Sequence, residues 1–516
     1  MSALKSSTLE CSSERRHADT HSQLDVPYAD QSLTQTRPLI TRASGAQVTQ
    51  LSRGTTVSQK QQVSTASTIN SCQRHDDCSY TCSSVRSQLI VMDISQLAKE
   101  LLPGDTLLKD IESNSPPEIG IHLMSICKKL WTSINSNGLL LTDQWIQNAL
   151  VKLDACLDRT WESLNSGYWK EVSVKYRYCY SFCTILKSAL LLIRFDNFSI
   201  CDKLKHIELD VLKEVILQID KGILLGAPPS SIPGLLPNVA RKLNSLILRV
   251  GGRECWNIQD QLLFSEDASK RELLPGFTPV PRCHQPSMEK FYTNIFQPKI
   301  PTILEGCMDH WRALNLWIDP EYLLQTAGVR TVPIEIGSRY TEENWTQRLV
   351  TLSEFLKSYL SSDKSSTPGY LAQYELFEQI PELMNDISIP DYCSFSDTQE
   401  EALPPNINAW LGPGGTISPL HFDPKNNLLC QVFGTKQIVL FHPDETPKLY
   451  PYETRLLSNT ARVDPFNPDF DVWPRFKQAK GATCVLGPGE MLFIPPGWWH
   501  HVVALSPSFS VSFWWD

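Results

Sequence analysis

His421 and Asp423 lie two positions apart in the run I-S-P-L-H-F-D-P (417–424). On a β-strand, side chains at that spacing leave the same face. Asn427, Leu429, Gln431 and Phe433 continue the parity, and Gly434-Thr435 reads as a two-residue hairpin turn. Such a hairpin would pair Phe433 with Lys436 and turn Lys436, Ile438 and Leu440 into the same interior. Pro424 would interrupt the first strand. A histidine, an aspartate, an asparagine and a lysine inside an apolar β-core are costly unless something uses them. A metal ion with an anionic ligand uses all four.

A third ligand should come from the same sheet system. Residues 489–494 read as a strand, Pro495-Pro496-Gly497 as a sharp turn and residues 498–505 as the returning strand. His500 and His501 compete for the position, and alternation turns one of them away from the other's face. Two imidazoles and one carboxylate can hold one face of an octahedron and leave three positions open, which suits Fe(II) oxygenase chemistry. With 11 histidines in the chain, His-x-Asp alone carries little weight. The downstream histidine, the lysine and the Gly/Pro turns add the rest.

Further blocks carry a family resemblance. T-V-P-I-E-I-G-S-R-Y (331–340), Y-L-A-Q-Y-E-L-F-E-Q-I-P-E-L (370–383), D-I-S-I-P-D-Y-C (386–393), the 417–424 run and S-F-S-V-S-F-W-W-D (508–516) span nearly all of 283–516. The segment resembles the JmjC domain of the Fe(II)- and 2-oxoglutarate-dependent oxygenases, most of all members described as arginyl hydroxylases and also as histone-tail demethylases or peptidases. The resemblance implies a jelly-roll barrel that uses Fe(II), 2-oxoglutarate and O2. It implies metal ligation by His421, Asp423 and His500, with His500 favoured over His501. Lys436 fits as the cation for the distal carboxylate of 2-oxoglutarate. Tyr370, Ser418, Asn427 and Trp514 are carried over as its other neighbours. The implied substrate is an arginine side chain of a basic protein, chromatin or ribosomal, in the nucleus and secondarily the cytoplasm. Glu335 is the candidate partner for a guanidinium, with Tyr340 and Trp345 beside it. Lysine demethylation, histone-tail proteolysis and silent protein binding are the alternatives. No H-E-x-x-H supports a peptidase.

The elements that must position these groups follow from the rest of the chain. The composition, 41% apolar and 20% charged over 516 residues, is that of a globular protein with room for two or three domains. A net charge of −9 argues against nucleic acid as a direct partner and is compatible with a basic protein. No run approaches 18 consecutive apolar residues and no apolar segment follows Met1, so neither secretion nor membrane insertion is expected. The 15 cysteines follow no regular framework and should be reduced thiols.

Residues 1–87 are rich in Ser, Thr, Gln and Arg and are expected to be disordered. Within them Cys72, His75, Cys78 and Cys82 have zinc-ligand chemistry but lack two well-separated pairs. Residues 88–256 have helical periodicity, with an N-cap at Thr142 or Asp143, a break at Asn165-Ser166-Gly167 between Trp161 and Trp169, and further runs through 176–190, 203–225 and 236–250. Antiparallel helical hairpins without a true repeat are expected there. Residues 257–282 read as a linker and 283–516 as the catalytic domain. In the latter, helices near 288–296, 320–327 and 352–359 buttress short strands, giving an α+β fold around a jelly roll.

Overall fold

The structure is a computed structural model and describes residues 93–135, 141–167, 171–198, 205–256, 263–264, 276–337, 339, 341, 345–361, 367–396, 403–454 and 457–516. Residues 1–87, with Cys72, His75, Cys78 and Cys82, lie outside the described residues, as do Trp169 and Tyr340.

The helical half comprises α1 (93–100), α2 (Asp105–Asn114), α3 (Pro117–Asn135), α4 (Asp143–Leu164), α5 (Val174–Phe198), α6 (Lys205–Leu225) and α7 (Leu235–Gly251). Thr142 caps α4 as expected: its hydroxyl accepts the Trp145 N–H at 3.3 Å. The apolar stripe of α4, Ile146, Leu150, Leu153 and Cys156, is buried. Helix α5 packs between α4 and α6. It is long and apolar enough over Val174–Phe195 to cross a membrane, although polar residues interrupt the run. Within the fold 72% of that window is buried, so its apolar character serves the protein core. Its thiols belong to that core too: burial pushes the Cys179 thiol up to about 11, out of nucleophilic range.

The barrel half has fourteen strands among the described residues: β1 (Thr278–Pro279), β2 (Arg282–His284), β3 (Thr302–Glu305), β4 (Thr331–Ile336), β5 (Thr346–Thr351), β6 (Gly369–Tyr374), β7 (Asn406–Gly412), β8 (Ile417–Phe422), β9 (Asn426–Phe433), β10 (Lys436–Phe441), β11 (Gly481–Leu486), β12 (Met491–Ile494), β13 (Trp499–Ala504) and β14 (Ser508–Trp515). One sheet runs β1-β11-β10-β13-β8 and the other β2-β3-β12-β9-β14-β7-β6-β4-β5. The short strands β1 and β2 draw residues read as linker into the sheets. Between the sheets lie Leu429, Leu492 and Ile494 from one side and Ile438, Leu440, Cys484, Leu486 and Val502 from the other. The outer face of the larger sheet joins one continuous apolar cluster with helices α2–α7, which is why every residue of β9 is buried.

The expected hairpin at Gly434-Thr435 does not form. Strand β9 pairs with β12 and β14, whereas β10 pairs with β11 and β13. The turn carries the chain from one sheet to the other, and Pro495-Pro496-Gly497 does the same between β12 and β13. Gly434 has φ 71°, and a Cβ there would lie 2.0 Å from the Pro507 carbonyl oxygen. Glycine is therefore required for close approach to a neighbouring segment. Parity survives at Leu429, Ile438 and Leu440, which meet between the facing sheets, but a register shift beside Val432 places Phe433 in the outer apolar cluster instead.

Candidate active site

Strand β8 ends at Phe422, where Pro424 approaches, and Asp423 follows immediately. The Asp423 carbonyl accepts the Gly497 N–H at 2.8 Å, tying this end of β8 to the turn that precedes β13. Across the β8–β13 pair His421 stands directly opposite His500, with ring centroids 4.3 Å apart. One ligand atom from each of His421, Asp423 and His500 lies within 4.8 Å of the others. Asp423 Oδ2 is 3.9 Å from His421 Nε2 and 3.6 Å from His500 Nε2.

The backbone sets the histidine tautomers. The Pro419 carbonyl lies 2.7 Å from His421 Nδ1, and the Trp498 carbonyl 3.0 Å from His500 Nδ1. A carbonyl can only accept, so both Nδ1 atoms carry the proton and both Nε2 lone pairs remain for a ligand. Burial, helped by His421 and opposed by Asp423, lowers His500 to about 4, so at neutral pH it is an uncharged donor atom. Asp423 Oδ2 is buried without a hydrogen-bond donor among the described residues. Two free imidazole lone pairs and one orphaned carboxylate oxygen around a common point fit a divalent cation. His501 points the other way, with its Nε2 3.9 Å from Asp464 Oδ1 and its ring edge-on to Phe466.

Deeper in the barrel Lys436 is 2% exposed, and its Nζ donates to Tyr370 Oη at 3.3 Å. Burial lowers its pKa from 10.5 to about 7, and no carboxylate among the described residues offsets it. Tyr370 is buried as well, and burial, reinforced by Glu335 and opposed by a hydrogen bond with Ser418, raises its phenol above the usual range. Gly412 makes room for this tyrosine: a Cβ there would meet the ring at 2.7 Å. On adjacent strands Asn427 and Trp514 are paired in register. Asn427 Oδ1 and Trp514 Nε1 are buried with no partner among the described residues. A lone buried ammonium and unused amide and indole groups fit a polar, anionic guest.

On the flank, Glu335 of β4 faces Tyr370 of β6 across the register, so the two side chains share a sheet face. Trp345 Nε1 donates to Glu335 Oε2 at 3.1 Å, joining two of the three residues placed at the rim. Trp410 was not foreseen. It donates to Ser512 Oγ at 2.8 Å and its ring lies 6.1 Å from that of Tyr370. Its parity with Gly412 on one strand was the available signal, weakened because the facing residue is distant in sequence.

A model of the cupin-like domain matches residues 288–516. The chain is 40% identical over 420 residues to lysine-specific demethylase 8 of Danio rerio, a match spanning 79% of this chain and 98% of that protein. It is 39% identical over 367 residues to Jumonji C domain-containing protein 5 of Drosophila melanogaster, spanning 70% and 86%. A bifunctional peptidase and (3S)-lysyl hydroxylase of Homo sapiens is 29% identical over 265 residues, spanning 45% of this chain and 82% of that one. By these matches the chain belongs to the cupin-like JmjC family, the hydroxylases and demethylases that use Fe(II) and 2-oxoglutarate.

Proposed function

We propose that this protein is an arginyl hydroxylase acting on basic protein substrates in the nucleus. His421, Asp423 and His500 hold the metal; Lys436, Tyr370, Ser418, Asn427 and Trp514 hold 2-oxoglutarate. Bound there, Fe(II) with 2-oxoglutarate and O2 supplies an oxidative decarboxylation that releases succinate and CO2 and inserts one oxygen atom into a substrate C–H bond. The residues of the chain bind, orient and exclude water. The Nδ1–H bonds of His421 and His500 keep both Nε2 atoms aimed at one point. Lys436, at the floor of an apolar interior, selects a carboxylate.

The observation that carries the arginine reading is Glu335, whose carboxylate stands beside the Trp345 indole and on the sheet face of Tyr370. A guanidinium entering a water-poor site needs a carboxylate, and an indole face beside it adds a stacking surface. Chromatin and ribosomal tails are the arginine-containing candidates.

Glu335→Ala is expected to lower hydroxylation of an arginine peptide by more than about tenfold while changing uncoupled 2-oxoglutarate decarboxylation little. Mass spectrometry of the product should show one added oxygen, and peptides with lysine in place of arginine should react poorly. Formaldehyde release from methyl-lysine peptides at a comparable rate would assign the enzyme to the demethylases instead, the activity for which the Danio rerio relative is named.

A further inference from the structure

One buried carboxylate of the helical half reaches the strands that carry the site. Asp220 of α6 is 0% exposed. Its Oδ1 accepts Arg330 Nε at 2.9 Å, Arg330 Nη2 at 2.7 Å and Gln379 Nε2 at 2.8 Å. Its Oδ2 accepts the Thr331 N–H at 2.7 Å. A bidentate, fully buried Arg–Asp pair of this kind holds geometry tightly, because neither ion can relax into water.

Two legs run outward from Asp220. The first enters β4 at its first residue, Thr331, and ends at Glu335, the register partner of Tyr370. The second runs through Gln379, 0% exposed, whose Nε2 also donates to the Thr331 carbonyl at 2.8 Å and whose Oε1 accepts the Tyr374 hydroxyl at 2.8 Å. Tyr374 closes strand β6, which carries Tyr370.

The segment between those tyrosines is strained. Gln373 has φ 46°, a region that residues with a Cβ seldom occupy, and the β6–β7 register shifts between Leu371 and Tyr374. A bulge of this sort persists where its ends are fixed from outside. Here the fixed end is the Tyr374–Gln379–Asp220 chain, and the other end presents the Tyr370 hydroxyl to Lys436.

We infer that Asp220, acting through Gln379 and Tyr374, is a positioning residue for the Tyr370 hydroxyl in the 2-oxoglutarate pocket. The helical half is thus a working part of the barrel's co-substrate site. This rests on the reading of Tyr370 and Lys436 as 2-oxoglutarate ligands.

The test uses the full chain with Mn(II) in place of Fe(II), so that 2-oxoglutarate binding is read without turnover. Tyr374→Phe removes one hydroxyl and should leave Tm within about 5 °C and Mn(II) binding unchanged. It should raise the 2-oxoglutarate Kd about five- to tenfold, the effect of one lost buried hydrogen bond. Asp220→Asn should shift Kd the same way. In a Tyr370→Phe background the Tyr374→Phe change should have no further effect, because its route to the ligand is gone. Multiplying effects in the double variant, or a wild-type Kd in folded Tyr374→Phe, would overturn the inference. A wild-type Kd in Tyr370→Phe would instead remove the co-substrate reading of Tyr370, and the inference with it.

Discussion

Asp423→Ala should abolish 2-oxoglutarate decarboxylation and leave the protein folded. The side chain is buried at the end of β8, and its Oδ2 takes no hydrogen bond from any described residue. An orphaned buried carboxylate oxygen destabilises a fold by about 1–3 kcal/mol, so its removal should leave thermal stability equal or higher. A purely structural aspartate would show the opposite. The loss falls on metal binding, since Asp423 supplies the only anionic group among the three candidate ligands. Release of labelled CO2 should fall by more than about 100-fold, with Tm measured on the same sample. Turnover near the wild-type rate in the folded variant would rule out the triad.

Lys436→Ala separates the anion site from the metal site. The ammonium is buried, donates to Tyr370 and has no carboxylate partner among the described residues. Deleting a charge-assisted contact in such a pocket costs about 2–5 kcal/mol, so the 2-oxoglutarate requirement should rise about 30-fold or more while metal binding stays near normal. Two other cations of the catalytic half are engaged elsewhere: Lys425 donates to Asp516 at 2.8 Å, and Arg462 lies over Trp473. An unchanged requirement would show that Lys436 is not the anchor.

The same residue sets a pH signature. Its pKa in the folded, ligand-free protein is about 7, against 10.5 when exposed. Between those values the unfolded chain binds the extra proton, so stability rises with pH across that window, and the burial penalty is fully present below about 7. Binding of 2-oxoglutarate needs the charged form, so affinity should fall as pH climbs above about 7. Lys436→Met should flatten both trends; trends that persist in that variant would assign them to another group.

Local physics makes much of this site legible in the sequence. Period-two parity on β13 separated His500 from His501, because alternate residues of a pleated strand face opposite ways. His421 and Asp423, read from the same parity, share one site although β8 ends at Phe422. The cap at Thr142 located the start of α4, since a cap needs only the residues beside it.

What the tertiary structure decided was which distant segments meet. A Gly-Thr turn after a strand is compatible with a hairpin or with a crossing to the opposite sheet. Here burial of both faces of β9 selected the crossing, a choice no window of local sequence contains. Tyr370 and Lys436 meet across 66 positions, and Asp220 and Arg330 across 110. Such contacts form only after the layers pack, when an unpaired ion or hydroxyl in the interior would be too costly to leave alone. Residue types and strand faces are therefore properties of the sequence; the partner of each buried charge is a property of the fold.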